Sequence, residues 1–158
     1  MLSFHLPRPA CARQLSLAAA TAGLLATCLP AAAQQMVSIQ GSAVNLRAGP
    51  RANAEVLWEV TRGYPLKVVG HQGRWLRVQD FENDRAWVAR SLTGRTPHHV
   101  VRADVAHLRS GPGTRFKVLA KLPRYEVLRT RGKQEGWVRV ERETGQRGWV
   151  AKRLLWGW

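Results

Sequence analysis

The sequence predicts an all-β protein, two small β-barrels in tandem behind an N-terminal signal helix. Three observations carry that expectation. The chain repeats itself without a gap at an offset of 62 residues, and between Ile39 and Leu92 18 of 54 positions are identical to their counterparts. Each copy breaks into runs of about five residues, often alternating in polarity and bounded by Gly, Pro, Asn or Asp, which is the pattern of short strands. No window keeps a 3.6-residue apolar period for three turns, so no long helix is expected beyond the leader.

In chain order, residues 1–33 read as a signal peptide. Arg8 and Arg13 give a positive start without an acid, Leu15 to Leu29 is apolar or small, and Pro30 ends the run. Ala31-Ala32-Ala33 then supplies the small residues a signal peptidase reads, so cleavage is expected after Ala33 and the mature chain is expected to be periplasmic or secreted. The apolar run is short of the roughly 20 residues that a membrane span needs, and nothing after it is longer. Lipidation at Cys28, behind Leu25-Ala26-Thr27, is a competing reading that Thr27 suits poorly.

The first barrel is expected over residues 36–95. Ala43 to Arg47 is extended and Gly49-Pro50 turns the chain. Val56–Val60, Leu66–Val69 and Trp75–Val78 follow, separated by Arg62-Gly63 and by Gly70-His71-Gln72-Gly73. Glu82-Asn83-Asp84 turns into a last strand, Arg85 to Arg90. Thr93-Gly94-Arg95-Thr96-Pro97 is a short linker whose proline restricts the relative orientation of the two units. The second barrel, 96–158, repeats the pattern with Thr144-Gly145-Gln146 at the corresponding turn. The expected core is Leu46, Val56, Leu66, Leu76, Val78 and Val88 in the first copy, and Leu108, Val118, Leu128, Val138, Val140 and Val150 in the second. A unit of about 60 residues buries only about 60% of its unfolded surface, so closing the sheet matters for its stability. The tail Leu155-Trp156-Gly157-Trp158 either packs back on the second copy or offers a partner an aromatic hook.

Composition narrows the chemistry. Both cysteines, Cys11 and Cys28, lie in the leader, which excludes disulfides, thiolate metal sites and cysteine nucleophiles from the mature chain. Net charge is +15: +2 from the leader, +4 from the first copy (9 basic, 5 acidic) and +9 from the second (14 basic, 5 acidic). Such a field favours anionic partners, and for an exported chain these are wall carboxylates and lipid phosphates before any specific nucleic acid.

Several of these residues form a known pattern. Asn45-Leu46-Arg47-Ala48-Gly49-Pro50, a Gly-rich turn before Trp75, and Ala86-Trp87-Val88 resemble the bacterial SH3-type (SH3b) domain. The second copy is closer, with Leu108-Arg109-Ser110-Gly111-Pro112-Gly113-Thr114 and Gly148-Trp149-Val150. The resemblance covers nearly all of 37–155. It implies an SH3-like barrel of five to seven strands and an extracytoplasmic binding module of the kind attached to cell-wall hydrolases, engaging peptidoglycan or its peptides. Two departures stand out: Pro50-Arg51-Ala52 lacks the usual Gly-Thr after the proline, and His107 stands where asparagine is usual. They leave open whether both copies take the same ligand. The chain resembles the binding half of a wall enzyme without its catalytic half.

Candidate ligand-binding residues are Arg47, Trp75, Arg77, Trp87, Arg109, Trp137, Arg139 and Trp149. Alternation puts Leu76 and Val78 on one face of a strand and Trp75 with Arg77 on the other, and the same holds for Trp137 and Arg139. Trp87 and Trp149 likewise precede core valines. An outward aromatic and guanidinium surface could stack on a sugar or peptide and pair with its carboxylate. Alternatively, a loop folds over each tryptophan as a second small core. Arg47 and Arg109 could clamp a carboxylate, or could hold the Gly-Pro turn by donating to loop carbonyls. His71, His98, His99 and His107 match no zinc spacing, and Asp80, Glu82 and Asp84 lack the glycine and final glutamate of a calcium loop, so no metal or cofactor is expected.

The expected function is a non-enzymatic exported binding module, monomeric, whose partner is peptidoglycan or another anionic envelope polymer. A periplasmic adaptor for an envelope protein and a non-specific polyanion binder compete with it. An enzyme is not expected, since neither a G-x-S-x-G nor a zinc-protease signature occurs.

Overall fold

A computed structural model describes residues 34–158; the expected signal peptide over 1–33, including Cys28, lies outside the described residues. The first sheet contains β1 (Met36–Ile39), β2 (Ala43–Arg47), β3 (Val56–Thr61), β4 (Pro65–Gln72), β5 (Trp75–Gln79), β6 (Arg85–Ala89) and β7 (Thr93–Gly94). Its strands lie in the order β3-β2-β6-β5-β4-β1-β7. The second sheet contains β8 (His98–Val101), β9 (Val105–Arg109), β10 (Val118–Pro123), β11 (Val127–Gln134), β12 (Trp137–Glu141), β13 (Arg147–Ala151) and β14 (Leu155–Gly157). It repeats the order as β10-β9-β13-β12-β11-β8-β14. The offset of 62 residues holds for the first residue of every strand pair. Single 3₁₀ turns, Arg90–Leu92 and Lys152–Leu154, link the last two strands of each copy.

Period-2 alternation builds each core. In β5 and β6 the buried residues are Leu76, Val78, Ala86 and Val88; in β12 and β13 they are Val138, Val140, Gly148 and Val150. Residues from five strands spread across the first sheet, Val37 and Ile39 through Val88, pack into one cluster. A flat sheet cannot bring them together, so the sheet curls into a barrel around them. A second cluster, running from Val101 and Ala106 to Leu155, fills the other barrel.

Three expectations change. Val56 and Val118 are not core: they are 45% and 38% exposed. They begin β3 and β10, the edge strands, and only the far end of each strand lies over the core, where Val60 packs on the first cluster and Leu122 is fully buried. Gly70-His71-Gln72 is strand rather than turn, because a bulge between Val68 and Gly70 lets β4 run on to Gln72. The linker shrinks to Arg95-Thr96-Pro97, since Thr93 and Gly94 pair with β1. That linker is held from both sides: Ser38 Oγ donates to the Thr96 carbonyl (2.9 Å) and the Thr130 N–H to that of Pro97 (3.0 Å). The C-terminal tail packs back on the second barrel, the first of the two readings its sequence allowed. Leu155–Gly157 pairs with β8, while Trp156 reaches across to the first barrel, 6.4 Å from the Phe81 ring.

Candidate functional site: a groove repeated on both barrels

Strand register gathers the candidate side chains onto one outer face. Arg47 on β2 lies opposite Trp87 on β6, and Trp87 lies opposite Arg77 on β5. Directly opposed residues of antiparallel strands project to the same side, so these three form a row, with Trp75 two residues before Arg77 on the same face. The second barrel repeats the row as Arg109, Trp149 and Arg139, with Trp137 beside it. All four tryptophans are half-buried, and Arg77 and Arg139 are exposed.

Arg47 and Arg109 hold the loop that follows them. Arg47 Nη1 donates to the Ala54 carbonyl (2.7 Å); Arg109 Nη1 donates to those of Thr114 and Phe116 (both 2.8 Å). The turn-holding role is therefore real in both copies. It also immobilises each guanidinium, because Nη1 is engaged with the loop while the side chain still lines a cavity.

That cavity is an open groove between β2, the Gly73-Arg74 turn and the 3₁₀ turn. In the first barrel it measures about 560 Å³ and is lined by Asn45, Arg47, Arg74, Trp75, Ser91 and Leu92 among others. In the second it measures about 600 Å³ and is lined by His107, Arg109, Trp137, Lys152, Arg153 and Leu154 among others. Adding 62 to the first set lands on His107, Arg109, Trp137, Arg153 and Leu154 in the second, so one groove occurs twice at one address. The structure thus brings Arg47 with Trp75, and Arg109 with Trp137, into the grooves. Arg77, Trp87, Arg139 and Trp149 stand outside the groove walls, in the row alongside. Asn45, Ser91, Leu92, Arg102, Lys152 and Arg153 are groove residues that sequence reasoning did not single out. The 3₁₀ turn delivers most of them, and only a contact across the fold places that turn beside β2.

No acidic residue lines either groove. Two acids of the second barrel, Glu126 and Glu141, are engaged elsewhere. Arg142 pairs with Glu126 (2.6 Å), and Arg131 and Arg147 both donate to Glu141 (2.8 and 2.7 Å), holding its carboxyl down to about 2. Asp80, Glu82 and Asp84 do cluster, with ligand oxygens within 4.8 Å of one another. Yet Asp80 Oδ1 accepts the N–H groups of Glu82 and Asp84 (2.8 and 3.0 Å), closing the β5–β6 turn, and Glu82 is taken by Arg124 (2.9 Å). Burial raises the Asp80 carboxyl above its ordinary range, and those two N–H bonds oppose the rise. The histidines do not gather: His71 is exposed at the end of β4, His98 and His99 lie on β8, and His107 lines the second groove.

Two curled seven-stranded antiparallel sheets, each with one tryptophan-walled groove, define a tandem pair of SH3-like barrels. The chain belongs to the bacterial SH3 domain family, which matches residues 42–93 and again 104–155. It is 26% identical over 135 residues to a Bacillus subtilis (strain 168) protein named "Putative N-acetylmuramoyl-L-alanine amidase YrvJ", a match covering 78% of this chain and 26% of that one. The chain therefore spans about a quarter of the length of that relative. Among solved structures it is similar to an NlpC/P60 family protein from Bacillus cereus ATCC 10987 (17% identity, TM-score 0.34, covering 78% of this chain and 56% of that one). It is also similar to NlpC1 from Trichomonas vaginalis (12% identity, TM-score 0.36, covering 78% and 45%). Among the described residues no helix is long and apolar enough to cross a membrane.

Proposed function

We propose that this chain is a non-enzymatic binding module of an exported protein, holding peptidoglycan through the two grooves. The observation that carries this reading is the repetition of one groove at one address: a tryptophan, a loop-braced arginine and no acid, twice. Tryptophan and arginine are the side chains that most often dominate binding energy, and a pre-fixed guanidinium loses little further entropy on meeting a carboxylate. Two weak sites on one chain gain avidity against a repetitive polymer. Membership of the bacterial SH3 domain family and the likeness to a protein named for an amidase of N-acetylmuramoyl-L-alanine support the choice of polymer.

Residues 34–158 incubated with purified sacculi should sediment with them at physiological salt and release no soluble fragments. The W75A/W137A double variant should stay largely in the supernatant. A wild-type chain left in the supernatant refutes wall binding, whereas binding lost steeply with salt and unaffected by W75A/W137A identifies a polyanion binder.

A further inference from the structure

We infer that the two grooves are not interchangeable, and that the groove of the second barrel takes the carboxylate-bearing part of the wall peptide. This rests on the peptidoglycan reading above and goes further by assigning ligand chemistry to one copy.

Equivalent positions differ: the second groove gains two cations and loses one. The cations lining the first groove are Arg47 and Arg74. Those lining the second are Arg102, Arg109, Lys152 and Arg153, with His107 in place of Asn45; of these, Lys152 has a cation, Arg90, at its equivalent position in the first barrel. Gln40 and Ser91 stand in the first barrel where Arg102 and Arg153 stand in the second. The one cation that the second groove lacks, at the position of Arg74, is missing for a backbone reason. The turn before β12 takes positive φ at Gly136 (74°), whereas the turn before β5 takes it one residue earlier, at Gly73 (52°), leaving Arg74 free to carry a side chain.

Three of those cations have no internal use, and the fourth, Arg109, commits only Nη1 to the loop. Among the described residues, Arg102, Arg109, Lys152 and Arg153 form no ion pair, and Arg102, Lys152 and Arg153 are exposed. The ion pairs of this barrel lie instead among Arg124, Arg131, Arg142 and Arg147. The cavity where the barrels meet shows the contrast, for its wall carries Glu126, Glu141 and Glu143 among its arginines. Like charges around one concave site repel one another, a cost that an entering anion relieves. Trp137 supplies the apolar wall, and Arg109, already tied to the loop through Nη1, retains Nε and Nη2 as donors for a carboxylate.

The test compares R102Q/R153S, which gives the second groove the residues of the first, with K121Q/K133Q, which removes two exposed cations outside both grooves. Each is titrated on untreated sacculi and on sacculi whose free carboxylates have been converted to neutral amides. On untreated sacculi R102Q/R153S should bind about threefold to tenfold more weakly than wild type and show a shallower salt dependence, with K121Q/K133Q close to wild type. On amidated sacculi wild type should fall to the level of R102Q/R153S, and that variant should lose little more. Equal binding by wild type and R102Q/R153S overturns the assignment while leaving wall binding standing. An equal loss in K121Q/K133Q overturns it in favour of net charge alone. Absence of wild-type binding to untreated sacculi overturns both readings. Circular dichroism checks that the exposed substitutions leave the fold intact.

Discussion

His99 occupies in the second barrel the place that Val37 holds in the first, and Thr130 the place of Val68. Both Val37 and His99 are buried, at 4% and 2% exposure. The imidazole keeps that place because its Nδ1 lies 2.7 Å from Thr130 Oγ1, so an apolar pair has been replaced by a hydrogen-bonded one. Burial, with Lys133 nearby, lowers its pKa from 6.5 to about 4. Between those values the unfolded chain binds more protons than the folded one, so stability rises with pH there. The contribution is complete above pH 6.5 and is lost as pH falls toward 4. Urea titrations across that range should show up to about 3 kcal/mol of loss from this group, and a smaller total loss in H99V/T130V. Thr130→Val alone strands the imidazole and should cost about 1–3 kcal/mol at neutral pH. None of this was legible beforehand: the second of two adjacent histidines ahead of Val100-Val101 carries no sign of its partner 31 residues away. Arg47 and Arg109 were legible, because a repeated arginine ahead of a repeated Gly-Pro turn has carbonyls within reach.

Five strands of each barrel were readable from alternation and turn residues. The two outermost on one side were not: β1 and β7, and their counterparts β8 and β14, have at most four residues each. Segments so short hold no period, and they are strands only because β4 and β11 offer an edge to β1 and β8, which in turn offer one to β7 and β14. Turn chemistry is similarly local in one respect and not in another. Gly73 and Gly136 are visible as turn residues, but Gly148 is not. It sits mid-strand where the first barrel has Ala86, and a Cβ there would lie 2.7 Å from the Arg109 carbonyl oxygen and 2.7 Å from Leu108 Cγ. Gly148→Ala should therefore push β13 from β9, costing about 1–3 kcal/mol and lowering Tm by several degrees in calorimetry. Ala86→Gly in the first barrel should cost only about 0.5–1 kcal/mol, the backbone penalty of glycine.

Across the whole molecule the two barrels meet through few but specific groups. Glu82 accepts from Arg124 (2.9 Å) and from the Tyr125 hydroxyl (3.1 Å), and the Phe81 ring packs 5.6 Å from that of Tyr125. Gly63 lies so close to His98 that a Cβ would meet the ring at 2.7 Å. The Glu82 pair is well solvated, so Glu82→Gln should change global stability by less than about 1 kcal/mol. Its effect belongs to orientation. Residual dipolar couplings should fit one alignment tensor for both barrels in the wild type and require two in Glu82→Gln. A single tensor in that variant would mean that the three-residue linker and the tail hold the arrangement alone.

The sequence by itself determined the duplication, the five readable strands of each copy, most of the core and the uneven division of charge. All of these are local patterns or sums, and a period of two or an offset of 62 survives without knowledge of the fold. Only the tertiary structure decided that Val56 and Val118 face solvent, that the 3₁₀ turns deliver Ser91 and Arg153 to grooves begun by β2 and β9, and that Phe81 meets Tyr125 and Trp156. These depend on how far each sheet curls and where its edges end, and such contacts join residues distant in sequence that no local pattern connects. The duplicated arginine and tryptophan were therefore visible as candidates from the start, while the groove that unites them came from the closing of the barrel.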